Sequence, residues 1–245
     1  MRALLVGYGK MGMAIEAVLV ARGHSVTGKF GRREICLEGK KRESDLWGAA
    51  SDGAAQAADI AFEFTAPDAA PRAVPLLLSK KFPVLSGTTG WDVASAERFA
   101  REREVAFLHS SNFSIGVAAL RRAAAAAASA LAAFPEFEPG IVERHHSKKR
   151  DAPSGTAKAL ASALENASGR AGVPIASLRQ GGTPGEHLVF FEGEDETLEL
   201  VHRARSRAIF ARGAVCAAEW MLKSGRRGPL TFDDFFAAMT QSDPV

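Results

Sequence analysis

The sequence predicts an α/β protein in which a doubly wound parallel sheet is joined to a second, α+β domain with a mixed sheet. Three observations predict it. Short apolar strands alternate with helical stretches over residues 1–108, a glycine-rich turn links the first strand to the first helix, and beyond His109 a long alanine-rich helix precedes strands of alternating polarity. Composition sets the bounds. The chain has 245 residues, 47% of them hydrophobic and 24% charged, with a mean hydropathy of −0.04, so it can bury a sizeable core and needs no disordered segment. Apolar runs such as 3–6 and 74–78 fall far short of the roughly 20 residues of a membrane span. With no leader read at the N-terminus and only Cys36 and Cys216, the expectation is a cytoplasmic protein without disulfides. A net charge of +3 suits acidic small molecules and nucleic acid alike, and does not decide between them.

Taken in order, residues 3–6 read as a strand and Gly7-Tyr8-Gly9-Lys10-Met11-Gly12 as the turn. Met11, Ile15, Val18 and Leu19 fall at helical spacing, Gly23 is the stop, and 25–27 is extended. The alternation continues with strands at 60–64, 83–86 and 105–108 and helices at about 67–80 and 92–104. Pro75 should kink the former or mark its true start. The alanine helix spans 115–134 with Val117, Leu120, Ala124, Ala127, Leu131 and Phe134 on one stripe, and Pro135 and Pro139 break it. A strand at 141–143, a helix at 156–166, strands at 187–191 and 197–208, and a helix at 214–223 follow. The tail carrying Phe232, Phe235 and Phe236 returns to the first domain. The expected division is 1–111 with 212–245 for dinucleotide binding, and 112–211 for substrate binding and oligomerisation, the segment 31–59 being left without assignment. Leu188, Phe190, Leu198 and Leu200 are read as one apolar face that needs cover, from another copy of the chain or, within the chain, from the alanine-rich helix.

Four stretches carry chemistry. The GxGxxG at 7–12 follows a strand and opens a helix, the context in which a pyrophosphate meets unpaired N–H groups. Arg32 and Arg33 stand after the second strand, where an acidic residue usually meets the adenosine ribose, so they would attract a 2′-phosphate; solvated loop charges are the alternative. Gly87-Thr88-Thr89-Gly90 and Ser110-Ser111-Asn112-Phe113 each follow a strand, at the sheet edge where ligands bind in open α/β folds. The densest cluster is Glu143-Arg144-His145-His146-Ser147-Lys148-Lys149-Arg150-Asp151-Ala152-Pro153-Ser154-Gly155-Thr156. Its histidines can move protons near neutral pH, its lysines and arginine are cations, and Ser154-Gly155-Thr156 starts a helix whose N–H groups can hold a carboxylate. A basic loop for nucleic acid is the competing reading, weakened because no aromatic residues interleave with the charges.

The run from His145 to Thr156 resembles the signature of the dihydrodipicolinate reductase (4-hydroxy-tetrahydrodipicolinate reductase) family of lysine and diaminopimelate biosynthesis. Phe64-Thr65-Ala66-Pro67, Gly87-Thr88-Thr89-Gly90, Asn112-Phe113-Ser114, Gly185-Glu186-His187 and the stretch from His202 to Arg207 resemble it too. The resemblance implies a Rossmann-like domain, a substrate domain, a homotetramer, and hydride transfer from NADPH or NADH to a cyclic dicarboxylate. By position it implies His145 as proton donor and Lys149 as catalytic lysine, with His146, Gly155 and Thr156 touching the substrate. The cofactor would lie on Gly7, Tyr8, Gly9, Lys10, Met11, Gly12, Arg32, Gly87, Thr88, Thr89, Ser110, Ser111, Asn112 and Phe113. Tyr8 stands where many members have glycine, and the arginines tilt the cofactor towards NADPH. The rival readings are another NAD(P)-dependent oxidoreductase of a small anion, or a dinucleotide-sensing regulator.

Overall fold

The structure is a computed structural model and describes residues 1–31 and 58–241. By its internal contacts the chain divides into two compact units, Met1–Phe113 with Phe210–Val245, and Ser114–Ile209.

The first unit is built on a parallel sheet. Its strands are β1 (Arg2–Val6), β2 (Ser25–Phe30), β3 (Ile60–Glu63), β4 (Val84–Ser86), β5 (Phe107–His109) and β10 (Pro229–Thr231), in the order β10-β5-β4-β3-β1-β2. Its helices among the described residues are α1 (Lys10–Ala21), α2 (Ala70–Ser79), α3 (Val93–Arg103), α6 (Ala208–Ser224) and α7 (Phe232–Gln241). Strands covered on both faces must be apolar throughout, and Leu4, Val6, Ala61, Val84 and Phe107 duly pack with Ala73, Val74 and Leu77 of α2 in one core. The chain places β2 outside β1 and then crosses back to β3, so a topological switch lies between β1 and β3. The register pairs Val6 with Glu63, Glu63 with Ser86, and Ser86 with His109. The loops starting at Gly7, Phe64, Gly87 and Ser110 therefore leave one edge side by side.

Three local expectations change. Helix α2 runs unbroken from Ala70 through Pro75, because burial of Ala70, Ala73, Val74, Leu77 and Leu78 outweighs one missing hydrogen bond. Helix α6 begins at Ala208, six residues before the expected 214, and the strand before it stops at Arg203. The three-residue strand β10 is added where the sequence shows no alternation.

The second unit carries the strands β6 (Glu138–His145), β7 (Ile175–Arg179), β8 (Glu186–Glu192) and β9 (Thr197–Arg203) in the order β7-β6-β8-β9; β6 and β7 are parallel and the other pairs antiparallel. Helices α4 (Ile115–Ala130) and α5 (Gly155–Ser168) cover one face, with Leu120, Ala124, Ala128, Leu160 and Leu164 against Ile141, Val189 and Phe191. Alanines along α4 let the two helices approach closely. The helix ends at Ala130, before the expected 134, and Phe134 is half exposed rather than part of the buried stripe. The uncovered sheet face differs from expectation as well. Leu188 and Phe190 point outward beside Val201 and Glu199, whereas Leu198 and Leu200 pair with the inward Phe191 and Val189. The length of the 193–196 turn sets that parity, and it shifts the apolar set by one residue.

Candidate active site

In the second unit, strand period places Glu143 and His145 on one face of β6, aimed at the helix side. The same row continues across the sheet. His187 on β8 is the register partner of Glu143, and His202 on β9 is the partner of His187. Glu143 is fully buried. Its Oε1 accepts from Arg179 Nη2 at 2.6 Å and from the Ser154 backbone N–H at 3.2 Å, and its Oε2 makes a close hydrogen bond with His145 Nδ1. Burial pushes the Glu143 carboxyl up, but hydrogen bonds from Arg179 and Ser177 and the charge of His145 outweigh it and bring it to about 2. Burial pushes His145 down, opposed by Glu143. His187 lies edge-on to His145, with ring centroids 5.2 Å apart; burial first, then the charge of His145, lowers it to about 4.

The helix start beside this pair is built as the sequence suggests. Ser154 is the N-cap of α5: its Oγ accepts from the Ala157 N–H at 3.2 Å and lies 3.4 Å from His187 Nε2. Gly155 is exposed, and a Cβ there would meet nothing, so the first turn is open on that side. Lys149 pairs with Asp151 at 2.8 Å, while Arg179 also donates to the Asp151 carbonyl at 2.6 Å. His146 is half-buried in the same turn. Glu143, His145 and His187 offer donor atoms within 4.8 Å of one another. Arg179 and the His145 hydrogen bond already engage both Glu143 oxygens, which suits proton handling better than a cation.

The first unit presents the glycine loop at the sheet edge. Gly7 and Tyr8 donate to the Phe30 carbonyl at 2.9 Å each. A Cβ on Gly7 would strike the Phe64 carbonyl, and one on Gly12 would lie 2.5 Å from the Gly7 oxygen. At Gly9, by contrast, a Cβ would meet nothing, and α1 starts there without a side-chain cap, whereas Asp92, Ser114 and Ser154 cap α3, α4 and α5. A glycine cradle open towards uncapped N–H groups fits the pyrophosphate of a dinucleotide. The Tyr8 side chain is engaged by α1 and β2. Its hydroxyl makes a close hydrogen bond with Glu16, its ring lies 4.9 Å from Lys29 Nζ, and Lys29 pairs with Glu16 at 2.5 Å. Lys10 is exposed and Met11 half-buried in the first turn of α1. Arg32 and Arg33 lie outside the described residues.

The two other loops are held from below. Glu63, fully buried at the end of β3, accepts from Ser86 Oγ at 2.5 Å, Thr88 Oγ1 at 2.6 Å, the Thr65 N–H at 3.0 Å and closely from the Thr65 hydroxyl. Thr88 is therefore buried as an anchor, while Thr89 is exposed above it. Ser110 closes its own turn, donating to the Asn112 carbonyl at 2.8 Å, and Ser111 is exposed. Phe113 is buried between Phe64 and Phe232, with centroids at 5.8 and 5.4 Å, as a support for the loop. Sequence reasoning missed Glu63, Arg179, and Glu143 as a working group. Only for Glu143 was a signal legible, its spacing of two from His145 on a strand.

An open parallel sheet with a glycine cradle at its switch point, and a separate unit holding a buried carboxylate–histidine pair, place the chain in the Rossmann-like α/β class of dinucleotide-binding proteins. Comparison with known proteins narrows this. Residues 1–113 match the family described as dihydrodipicolinate reductase, N-terminus, and residues 116–236 match dihydrodipicolinate reductase, C-terminus. The 4-hydroxy-tetrahydrodipicolinate reductase of Christiangramia forsetii is 34% identical over 234 residues, covering 90% of this chain and 92% of its own. That of Archaeoglobus fulgidus is 34% identical over 253 residues, covering 93% and 96%. The dipicolinate-bound dihydrodipicolinate reductase from Paenisporosarcina sp. TG-14 shares the fold, with a TM-score of 0.73 at 21% identity over 94% of this chain and 97% of that one. The chain belongs to the dihydrodipicolinate reductase family, a family of NAD(P)-dependent oxidoreductases. No helix of the described residues is long and apolar enough to cross a membrane.

Proposed function

We propose that the protein reduces 4-hydroxy-tetrahydrodipicolinate, whose hydroxyl leaves as water to give the unsaturated ring, to tetrahydrodipicolinate in lysine and diaminopimelate biosynthesis, in the cytoplasm and as a homotetramer. One observation carries the reading. A single buried carboxylate, Glu143, anchors both the histidine that can give a proton and the helix start that can hold an anion. Bound on the loops at 7–12, 87–89 and 110–113, NADPH or NADH supplies the hydride. The chain's own residues do the rest. Gly155 and Thr156, at the N-terminus of α5, hold one carboxylate by their N–H groups, with His146 beside it. Lys149 exchanges Asp151 for the substrate's charge. His145 delivers the proton that quenches the charge left when a hydride adds to an unsaturated ring. The preference for NADPH rests on Arg32 and Arg33, and the oligomer on the outer sheet face, where Val142, Leu178 and Val201 are more than a third exposed. The test is a coupled assay in which dihydrodipicolinate synthase supplies the unstable substrate. Dinucleotide oxidation should depend on that supply, and its absence at any enzyme concentration would refute the reading.

A further inference from the structure

Every group around Glu143 is a donor. Arg179 and the Ser154 N–H hold Oε1, and Ser177 adds a hydrogen bond of its own. A buried carboxylate in such a shell is acceptor-only, so the hydrogen it shares with His145 belongs to Nδ1. The other ring nitrogen looks elsewhere. A Cβ built on Gly185 would stand 3.0 Å from His145 Nε2, so any side chain at Gly185 would crowd that atom.

We propose that Glu143, clamped between Arg179 and the start of α5, is a positioning residue that holds His145 as its Nδ1–H tautomer and so makes Nε2 the atom that delivers the proton. The inference rests on His145 being the proton donor. In the step, the Nε2–H bond breaks, its electron pair stays on the ring, and a C–H bond forms on the reduced substrate. The imidazole left behind is the neutral Nδ1–H form on Glu143, and a proton from water restores it. Around His145 stand Glu143 on its own strand, Arg179 on β7, His187 on β8 and Lys149 in the following turn. Of these, only Glu143 carries a negative charge, so it alone stabilises the imidazolium. Arg179 restrains that stabilisation by engaging the other oxygen.

Glu143→Gln reverses the tautomer, because an amide N–H in place of Oε2 asks Nδ1 to accept. Comparable loss of tautomer control costs roughly 10⁴-fold in the serine protease triad, so turnover should fall on the order of 10²- to 10⁴-fold. KM for the dinucleotide should not move, and the basic limb of the pH profile should shift to lower pH. The deciding readout is the ¹⁵N spectrum of enzyme labelled at its six histidines, with His145 identified by the signal lost in His145→Asn. The parent should show Nδ1–H for neutral His145, Glu143→Gln should show Nε2–H, and Glu143→Asp should return part of both the tautomer and the turnover. A parent in the Nε2–H form overturns the proposal even if the Gln variant fails to fold, as does a folded Gln variant with an unchanged tautomer. Should His145→Ala keep full turnover, the proton-donor reading fails on its own, and the spectrum still reports on the clamp.

Discussion

Removing the Glu63 side chain tests whether the loops of the dinucleotide unit share one anchor. In Glu63→Ala the hydroxyls of Ser86, Thr88 and Thr65 lose their acceptor, while the Thr65 N–H keeps Thr88 Oγ1 at 2.9 Å. Of the four bonds lost, the one from the Thr65 N–H is replaced by its bond to Thr88; at about 1 kcal/mol for each of the three hydroxyl bonds, and more for any donor left buried, the cost is roughly 3 to 4 kcal/mol. In a chain of this length that lowers Tm by about 6 to 15 °C. The loops at 65–67 and 87–90 would also lose their common support, raising KM for the dinucleotide roughly ten- to a hundredfold. Glu63→Gln, which keeps one carbonyl acceptor, should fall between. Thermal melts with and without NADPH, together with initial rates, give both numbers. A Glu63→Ala melt within about 2 °C of the parent, with KM unchanged, would refute the anchor.

Three further outcomes are expected. His187 sits at about 4 in the folded chain against an ordinary 6.5, so the unfolded chain binds more protons between those values and stability falls as pH drops through that window. The loss reaches about 3 kcal/mol, and denaturation at pH 7 and pH 4.5 should show it in the parent and much less in His187→Gln; equal slopes would place the acid sensitivity elsewhere. Charges on the outer sheet face, Val142→Lys with Val201→Glu, should split the oligomer in sedimentation, and a parent that is already monomeric at micromolar concentration would rule out the tetramer. Arg32→Ala with Arg33→Ala should cost roughly ten- to a hundredfold in NADPH affinity and spare NADH; equal loss of both would show that these arginines do not read a 2′-phosphate.

The glycine loop, the alternating strands of the first unit and the His145 cluster are legible because each is local. A turn, a period or a run of residues suffices to see them. What escapes is set by pairing across the sheets. Glu63 ends an apolar strand, and only the parallel register with Ser86 brings its hydroxyl partners within reach. Strand β7 hides because its inward residues near the site, Ser177 and Arg179, are polar while Leu178 faces outward, the reverse of a strand on an apolar core. Arg179 consequently reads as an ordinary loop arginine, although it holds Glu143. The misplacement of Leu198 and Leu200 has the same origin, since one residue of turn length exchanges the faces of a strand.

The most direct test of the central claim compares kcat and dinucleotide binding in the parent and His145→Ala under the coupled assay. The buried pair predicts a loss of turnover of roughly 10²- to 10⁴-fold, with the dissociation constant of the dinucleotide unchanged. Turnover within a few-fold of the parent would contradict it, leaving His145 a structural histidine and the proton to another group.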